Sequence, residues 1–435
     1  MKRSTAVCCL LAVCCAALFA GSVLADNWPQ WRGPADDGVC KESNIPAEWS
    51  ATKNATKNIL WALPMPGMGS STPAVWGNRI FLTSADHNDL VLLCVGTDGT
   101  ELWKQKLGTG DRKFMRGEGN SASASPCTDG THVYASDSNG DFACFDFDGK
   151  EIWQFNGQER YGQFQIQHGF HITPVLEGDK LYMAYLHSGG HWIVAIDKAT
   201  GKDVWKVERQ GDARFENEHS YASPFIWRHG KDSYLVVHGN DYTTAHRLSD
   251  GQEIWRLADL NPQPNRQYHP TLRFVASPVV TADLIVVPTA KRGPVVAIKP
   301  DAHGVIKAGS EYELWRKPKD TPDVPSPLVY DGLVYLCGEG GALTCLDAKT
   351  GKEHYTQRVH GSRHRASPVY ADGKIYLTAR DGVVSVVKAG PKYELLASNQ
   401  VADEITASPA ISNGRIYLRG FKNLYAIRSE VRTPP

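Results

Sequence analysis

Short apolar segments separated by polar turns run through most of the chain, and one repeat shows the pattern clearly. Residues 173–176 and 180–185 are largely apolar or aromatic, and a polar turn containing Gly178 separates them. Two further segments of this kind, 192–197 and 202–205, follow after similar breaks. Runs of roughly four to eight such residues, bounded by glycine-containing turns, predict β-strands. Each repeat is therefore predicted to form four strands, named A to D in chain order.

A small hydroxyl residue followed by proline marks the start of strand A in eight repeats. The prolines are Pro73, Pro126, Pro174, Pro224, Pro278, Pro327, Pro368 and Pro409. Successive prolines lie 41 to 54 residues apart. Because short strands carry this period, the pattern is typical of a β-propeller. The chain is predicted to be an all-β, eight-bladed β-propeller.

The eighth repeat lacks a segment that resembles strand D. Nothing after residues 424–427 has that pattern, whereas residues 58–61, ending in Trp61, have it ahead of the first repeat. A ring of sheets has no open edge only if this N-terminal strand completes the last blade. We expect residues 57–63 to pair beside residues 423–428, within a single propeller domain over residues 57–430.

The first residues have the pattern of an export signal. Lys2 and Arg3 precede an apolar run over residues 6–20, and residues 23–25 form a cleavage site of the A-x-A type. The run is shorter than the roughly 20 residues that a membrane span needs. We predict a cleavable signal peptide over residues 1–25, an N-terminal extension over residues 26–56, and a periplasmic or extracellular protein that does not span the membrane.

Charge and cysteine content limit the kinds of partner and the roles that the cysteines can have. The 47 basic and 47 acidic side chains balance, which argues against a nucleic-acid partner, since such partners favour a basic face. Three of the six cysteines beyond the signal peptide, Cys94, Cys144 and Cys345, take positions where other repeats have alanine, which indicates buried thiols. Cys40 and Cys127 do not follow that pattern, and a disulfide between them stays open.

One part of the repeat resembles a known family. Residues 195–205, with the sequence AIDKATGKDVW, resemble the tryptophan-docking repeat of PQQ-type quinoprotein propellers, and residues 345–355 form a second copy. The resemblance implies that an aromatic residue at the end of strand D packs between neighbouring blades. The residues concerned are Trp61, Trp103, Trp153, Trp205, Trp255, Trp315 and Tyr355.

The N-terminal extension carries a second resemblance. Residues 28–34, with the sequence WPQWRGP, are similar to the start of exported polyvinyl-alcohol-dehydrogenase-like proteins. The repeats are also similar to BamB-type outer-membrane assembly propellers, which are scaffolds. Quinoprotein dehydrogenases of the PQQ family use two adjacent disulfide-linked cysteines, and this chain has no such pair beyond the signal peptide. No cofactor is assigned, and PQQ with Ca²⁺ remains the alternative.

The chemically distinctive side chains fall on one predicted face, formed by the loops that lead into strand A and by the loops between strands B and C. The first set contributes Asn120, His168, His171, His219, Arg273, Arg363, His364 and Glu404, and the second contributes His187, Lys291 and Arg380. Arginine and histidine from different blades can hold a carboxylate through charge-assisted hydrogen bonds. The other interpretation is that these are solvated loop ends that bridge blades. Two pairs of closely spaced histidines, His168 with His171 and His187 with His191, could bind a metal, but no helix holds either pair on one face, and no metal site is predicted.

Two functions remain from the sequence. The first is a non-catalytic, exported scaffold that binds a protein partner or a small anionic ligand in a polar funnel on this face. The second is a PQQ-dependent dehydrogenase acting on alcohols or sugars. The absence of the adjacent cysteine pair favours the first.

Overall fold

The computed structural model describes residues 27–112, 114, 119–261, 271–291 and 293–429. The predicted signal peptide, residues 1–25, lies outside these ranges. Within them the chain forms eight sheets, numbered here 1 to 8 by the position of strand A, and two short helices. In each sheet strands A to D are antiparallel and hydrogen-bonded in that order. The architecture is all-β and is that of a β-propeller.

The first four sheets contain strands between residues 74 and 257. Sheet 1 comprises Ala74–Trp76, Arg79–Asp86, Asp89–Gly96 and Glu101–Thr109. Sheet 2 comprises Cys127–Thr128, His132–Ser136, Asp141–Asp146 and Glu151–Asn156. Sheet 3 comprises Val175–Glu177, Lys180–His187, Gly190–Asp197 and Asp203–Glu208. Sheet 4 comprises Phe225–His229, Asp232–Gly239, Tyr242–Arg247 and Glu253–Leu257, with Gly304–Ile306 added in parallel at its outer edge.

The remaining sheets complete the series. Sheet 5 comprises Val279–Val280, Ile285–Val287, Val295–Ile298 and Glu313–Lys317. Sheet 6 comprises Leu328–Tyr330, Leu333–Cys337, Ala342–Asp347 and Glu353–Arg358. Sheet 7 comprises Val369–Ala371, Lys374–Thr378, Val383–Lys388 and Leu395–Val401. Sheet 8 comprises Ala410–Ser412, Arg415–Arg419, Asn423–Ile427 and Ile59–Pro64. The helices are Gly157–Tyr161 and the 3-10 turn Phe215–Glu218.

Apolar layers between neighbouring sheets form the core. Strand Lys180–His187 is buried at every position after the first. In strand Asp203–Glu208, only Trp205 and Val207 are partly buried and the other side chains are exposed. An inner strand is covered on both faces and an outer strand on one face only. The first therefore has a continuous apolar sequence and the second an alternating one.

The repeated hydroxyl residues link one sheet to the next. The backbone N–H of Thr72 donates a hydrogen bond to Ser125 Oγ at 2.9 Å. Equivalent bonds run from Ser125 to Thr173 (3.1 Å), Thr173 to Ser223 (3.0 Å), Ser223 to Ser277 (3.0 Å), Ser277 to Ser326 (2.9 Å), Ser326 to Ser367 (2.9 Å) and Ser367 to Ser408 (3.0 Å). Thr72 Oγ1 donates to Ser408 O at 3.2 Å, which joins the last repeat to the first. These eight residues are called the hydroxyl ring below.

Indole groups at the ends of the D strands make a second set of links. Trp153 Nε1 donates to Lys198 O of sheet 3 at 2.9 Å. The same contact joins Trp61 to Thr97, Trp103 to Phe147, Trp205 to Leu248 and Trp315 to Ala348. Trp255 Nε1 and the Tyr355 hydroxyl are buried without a hydrogen-bond partner among the described residues. Five of the seven predicted docking residues thus share one contact, and two do not.

The residues ahead of the first repeat are bound to the sheets. Strand Ile59–Pro64 pairs antiparallel with Asn423–Ile427 of sheet 8. Val39–Cys40 pairs in parallel with strand A of sheet 7, and Ser50–Thr52 pairs in parallel with its strand D. A hairpin with Ala55–Lys57 extends that outer edge. The predicted N-terminal extension is therefore largely built into sheet 7.

No disulfide joins the six described cysteines, and all six are buried. Cys40 pairs with Ala371 of sheet 7, whereas Cys127 lies in strand A of sheet 2. Burial raises the pKa of the Cys94 thiol to about 12, so this residue is not a thiolate nucleophile. The described cysteines therefore serve as small apolar side chains.

Candidate ligand-binding cavity

A cavity of about 620 Å³ lies where the loops that lead into the A strands converge. Seven of the eight residues of the hydroxyl ring line it, all except Ser277. Aromatic side chains from three different loops, Phe114, Tyr221 and Phe421, also contribute to the lining. A pocket of this volume with polar groups from several elements is typical of a small-molecule site.

One residue of the N-terminal extension, Trp31, contributes to the wall of the cavity. Trp31 lines both this cavity and a much smaller one that Gln30, Arg32 and Asp36 help to line. The buried Arg32 guanidinium donates hydrogen bonds to Pro327 O at 2.7 Å and to Pro368 O at 3.1 Å. Burial lowers the pKa of Arg32 to about 10 and raises that of Asp36 to about 8. The segment is thereby tied to the strands that surround the channel.

Five of the predicted funnel residues line this cavity. They are Asn120, His168, His171, Arg273 and Arg380. The Asn120 amide donates to Ser70 Oγ at 2.5 Å, and Ser70 Oγ is 2.6 Å from Thr406 Oγ1. A polar chain therefore connects the loops of three sheets along one wall.

The other six predicted residues are not among the side chains that line the cavity. They are His187, His219, Lys291, Arg363, His364 and Glu404. His187 and His364 are fully buried, and each ring contacts its own loop, with Gly189 N and Ser362 O respectively. Lys291, Arg363 and Glu404 are exposed. The structure therefore brings together about half of the set that the sequence indicated.

Three of the four arginines that line the cavity share one orientation. Arg273 Nε lies 3.1 Å from Glu216 Oε1, Arg365 Nη2 lies 3.2 Å from Glu339 Oε1, and Arg380 Nε donates to Glu404 Oε2 at 2.9 Å. The three arginines line the cavity and the three carboxylates do not. Each ion pair thus has its positive end toward the cavity. This arrangement favours an anionic ligand although the net charge of the pairs is zero.

Four histidines of this region contribute little positive charge. Burial lowers the pKa of both His171 and His187 to about 4, and it also lowers the pKa of His219 and of His364. These rings are neutral near pH 7 and act as hydrogen-bonding groups. His171 Nε2 lies 2.5 Å from His168 O, and its ring packs edge-on against Phe114. The permanent positive charges of the described lining belong to its arginines.

Several lining groups were not among the residues that the sequence indicated. Trp31 was expected only in an extension, and the ring hydroxyls only at the start of strands. Their signal is the regular Ser/Thr-Pro spacing, because equivalent positions of a closed repeat array must face a common axis. Tyr221 has no comparable signal. The Tyr221 hydroxyl accepts a hydrogen bond from the backbone N–H of His168 at 3.2 Å, which holds the side chain in the cavity wall.

Comparison with known proteins places the chain in a family. A family model described as outer membrane protein assembly factor BamB matches residues 29–156, 143–306 and 302–391. These segments cover well over half of the chain. The chain belongs to this family. The resemblance to BamB-type propellers that the sequence indicated is thus confirmed.

The relatives and structural neighbours are distant. The outer membrane protein assembly factor BamB of Yersinia pestis is 24% identical over 261 residues, 58% of this chain and 59% of that protein. The chain therefore matches less than two thirds of that relative. The crystal structure of BamB from Moraxella catarrhalis is 11% identical, with a TM-score of 0.62 over 88% of this chain and 100% of the other.

Two oxidoreductases have the same fold. The quinohemoprotein alcohol dehydrogenase of Comamonas testosteroni is 14% identical, with a TM-score of 0.65 over 94% of this chain and 82% of the other. A europium-containing methanol dehydrogenase is 14% identical, with a TM-score of 0.64 over 93% of this chain and 90% of the other. At these identities the likeness concerns the fold alone. None of the helices in the described part of the chain is long and apolar enough to span a membrane.

Proposed function

We propose that this protein is an exported, non-catalytic binding scaffold with a ligand cavity on the face where the A-strand loops converge. The observation that carries the proposal is the inward orientation of three arginines around a cavity of about 620 Å³. Family membership supports a role in assembly, since the family is described as an outer membrane protein assembly factor. Export rests on the predicted signal peptide over residues 1–25.

The proposal includes a single domain over residues 57–430 with eight blades, the last completed by the N-terminal strand. Two observations support this organisation. Strand Ile59–Pro64 pairs with Asn423–Ile427, in the position that strand D has in the other sheets. The contact between Thr72 and Ser408 supplies the link that a closed ring requires.

The scaffold function is tested by a photo-crosslinking amino acid on the cavity face. Phe215 is 66% exposed, and its neighbour Glu216 contacts both His168 and Arg273. Val204, 46% exposed on the outer strand of sheet 3, is a matched control. We expect a defined partner that takes part in outer membrane protein assembly to be captured in cells from position 215 and not from 204. Equal capture from both positions, or none from either, would contradict the scaffold.

A PQQ-dependent dehydrogenase acting on alcohols or sugars is the second candidate. The fold shared with the Comamonas testosteroni enzyme favours it. The inward arginines suit the acidic groups of a quinone cofactor. The described lining contains one carboxylate, Asp111, and the described residues include no group of three His, Cys, Asp or Glu side chains placed to hold a metal ion. These residues do not fit a quinone with an adjacent Ca²⁺.

Reconstitution separates the two candidates. The purified protein is incubated with PQQ and Ca²⁺, and reduction of a dye is followed with alcohols and sugars as electron donors. The scaffold proposal expects no turnover above that of the cofactor alone. Substrate-dependent turnover that is lost in the Arg273→Gln variant would replace it with the dehydrogenase, while loss of activity in an Arg363→Gln control would indicate a nonspecific effect.

A further inference from the structure

The hydroxyl ring contains hydrogen-bond donors that the protein does not use. Each hydroxyl from Ser125 to Ser408 accepts a bond from the backbone N–H of the preceding ring member. The Thr72 hydroxyl differs, because it donates a bond to Ser408 O. For the other seven, no acceptor lies within hydrogen-bond reach among the described residues. A hydroxyl carries one donor hydrogen besides its acceptor sites, so seven donors remain available.

These donors are buried, which makes them chemically significant. The ring residues are only 2–6% exposed. A ligand that displaces water from a polar cavity must offer acceptors to such donors in its place. Six of the seven line the cavity of about 620 Å³, and Ser277 does not. A ligand in the cavity can therefore satisfy six donors from six different sheets.

The chemistry of the site selects the ligand. Hydroxyl donors from several sheets around one cavity favour a ligand with many acceptor oxygens. Arg273 and Arg365, which line the same cavity, add positive ends that face inward. We infer that the cavity binds a small polycarboxylate, whose oxygens accept hydrogen bonds from the hydroxyl ring while the inward positive ends of the arginine ion pairs attract its charge. This inference rests on the proposed ligand cavity and names the class of its ligand.

Calorimetry with a defined probe tests the inference. Tricarballylate is a small aliphatic tricarboxylate, and its triamide has the same skeleton without charge and with added donors. We expect tricarballylate to bind with one site per chain and the triamide to show no measurable binding. Equal binding of the two, or no binding of tricarballylate at millimolar concentration to a folded protein, would overturn the inference.

A pair of cysteine variants tests the ring itself. A thiol is a much weaker donor than a hydroxyl but is similar in size. We expect Ser326→Cys to weaken tricarballylate binding about tenfold, roughly the effect of one lost charge-assisted bond. Ser277→Cys alters the same ring without touching the cavity, so its affinity should match that of the unmodified protein. Equal losses in both variants would assign the effect to general loosening of the ring and overturn the inference.

The outcome is separable from that of the scaffold proposal. Crosslinking from position 215 does not depend on the ring hydroxyls. Partner capture without tricarballylate binding would leave the scaffold in place and remove only the ligand class. Tricarballylate binding without partner capture would leave the ligand class in place and remove the scaffold function.

Discussion

The hydroxyl of Thr72 donates a hydrogen bond to the carbonyl oxygen of Ser408 at 3.2 Å, across 336 residues of sequence. The other seven links of the ring are of a different kind, since in them a backbone N–H donates to a hydroxyl oxygen. The ring thus has one distinctive link, between the first and last repeats. It lies in the same part of the molecule as the pairing of Ile59–Pro64 with Asn423–Ile427.

Removal of one ring hydroxyl should destabilise the fold. In Ser223→Ala, the buried N–H of Thr173 loses its acceptor, 3.0 Å away. We expect the free energy of unfolding to fall by about 1–3 kcal/mol, the cost of an unsatisfied buried donor. Urea denaturation measures the change. Ser223→Thr keeps the hydroxyl and copies residues 72 and 173, so it should be nearly neutral, and equal losses in the two variants would refute this reading.

Two glycine-to-alanine variants in sheet 3 measure how tightly Trp153 of sheet 2 packs against that sheet. Gly201 and Gly178 have similar backbone angles, φ of +67° and +61°. A Cβ on Gly201 would lie 2.6 Å from the Trp153 ring, whereas one on Gly178 meets nothing within 4 Å. We expect Gly178→Ala to cost about 1 kcal/mol for its left-handed backbone, and Gly201→Ala to cost roughly 1–3 kcal/mol more through overpacking. Thermal unfolding of both variants gives the difference, and a difference near zero would show that the indole is not held tightly.

Loss of the N-terminal strand should strongly destabilise sheet 8. Deletion of residues 26–63 removes the partner of Asn423–Ile427 and exposes its backbone groups as a free edge. It also removes Arg32 and the strands bound to sheet 7. We expect a large fall in melting temperature. The Trp61→Ala variant retains the strand and loses only the indole contacts, so it should fall less. Unchanged stability of the deletion variant would disprove closure by this strand.

The stability of the protein should also depend on Asp137. This residue lies between the second and third strands of sheet 2 and is 1% exposed, and its Oδ1 accepts a bond from Asn139 N at 2.8 Å. Burial, followed by the charge of Asp141, raises the pKa of Asp137 from 3.8 to about 7. The folded protein therefore holds this proton more tightly than the unfolded chain. The stability that the folded protein gains from this proton is fully present below about pH 4 and is lost as the pH rises through 7.

The neutral variant Asp137→Asn tests that dependence. It keeps the Oδ1 acceptor and carries no charge at any pH, so it avoids the cost of a buried carboxylate. We expect it to exceed the unmodified protein in stability at pH 8 by on the order of 1 kcal/mol or more, and to lose that advantage toward pH 4. Melting temperatures across this range measure the effect. A variant less stable at pH 8 would show that the carboxylate has a partner that stabilises its charge.

The sequence predicted strands and loops better than the contacts between loops. The Ser/Thr-Pro period located the strands because each repeat has the same local pattern of apolar segments and turns. It could not reveal that Arg273 is paired with Glu216, since the two residues come from different repeats. Trp255 shows the same limit. Its local sequence matches that of Trp205, but the next repeat has the strand Gly304–Ile306 in place of a tight glycine turn, so the indole finds no carbonyl acceptor.

The pairing of Ile59–Pro64 with Asn423–Ile427 also sets an order of events during synthesis. Strand Ile59–Pro64 leaves the ribosome long before its partner Asn423–Ile427 has been made. The two are roughly 360 residues apart, which at about 5–20 residues per second corresponds to a delay of about 20–70 s. During that interval the early strand has no native neighbour on its hydrogen-bonding edge. A nascent chain must therefore keep Ile59–Pro64 from pairing with another strand until Asn423–Ile427 has been made.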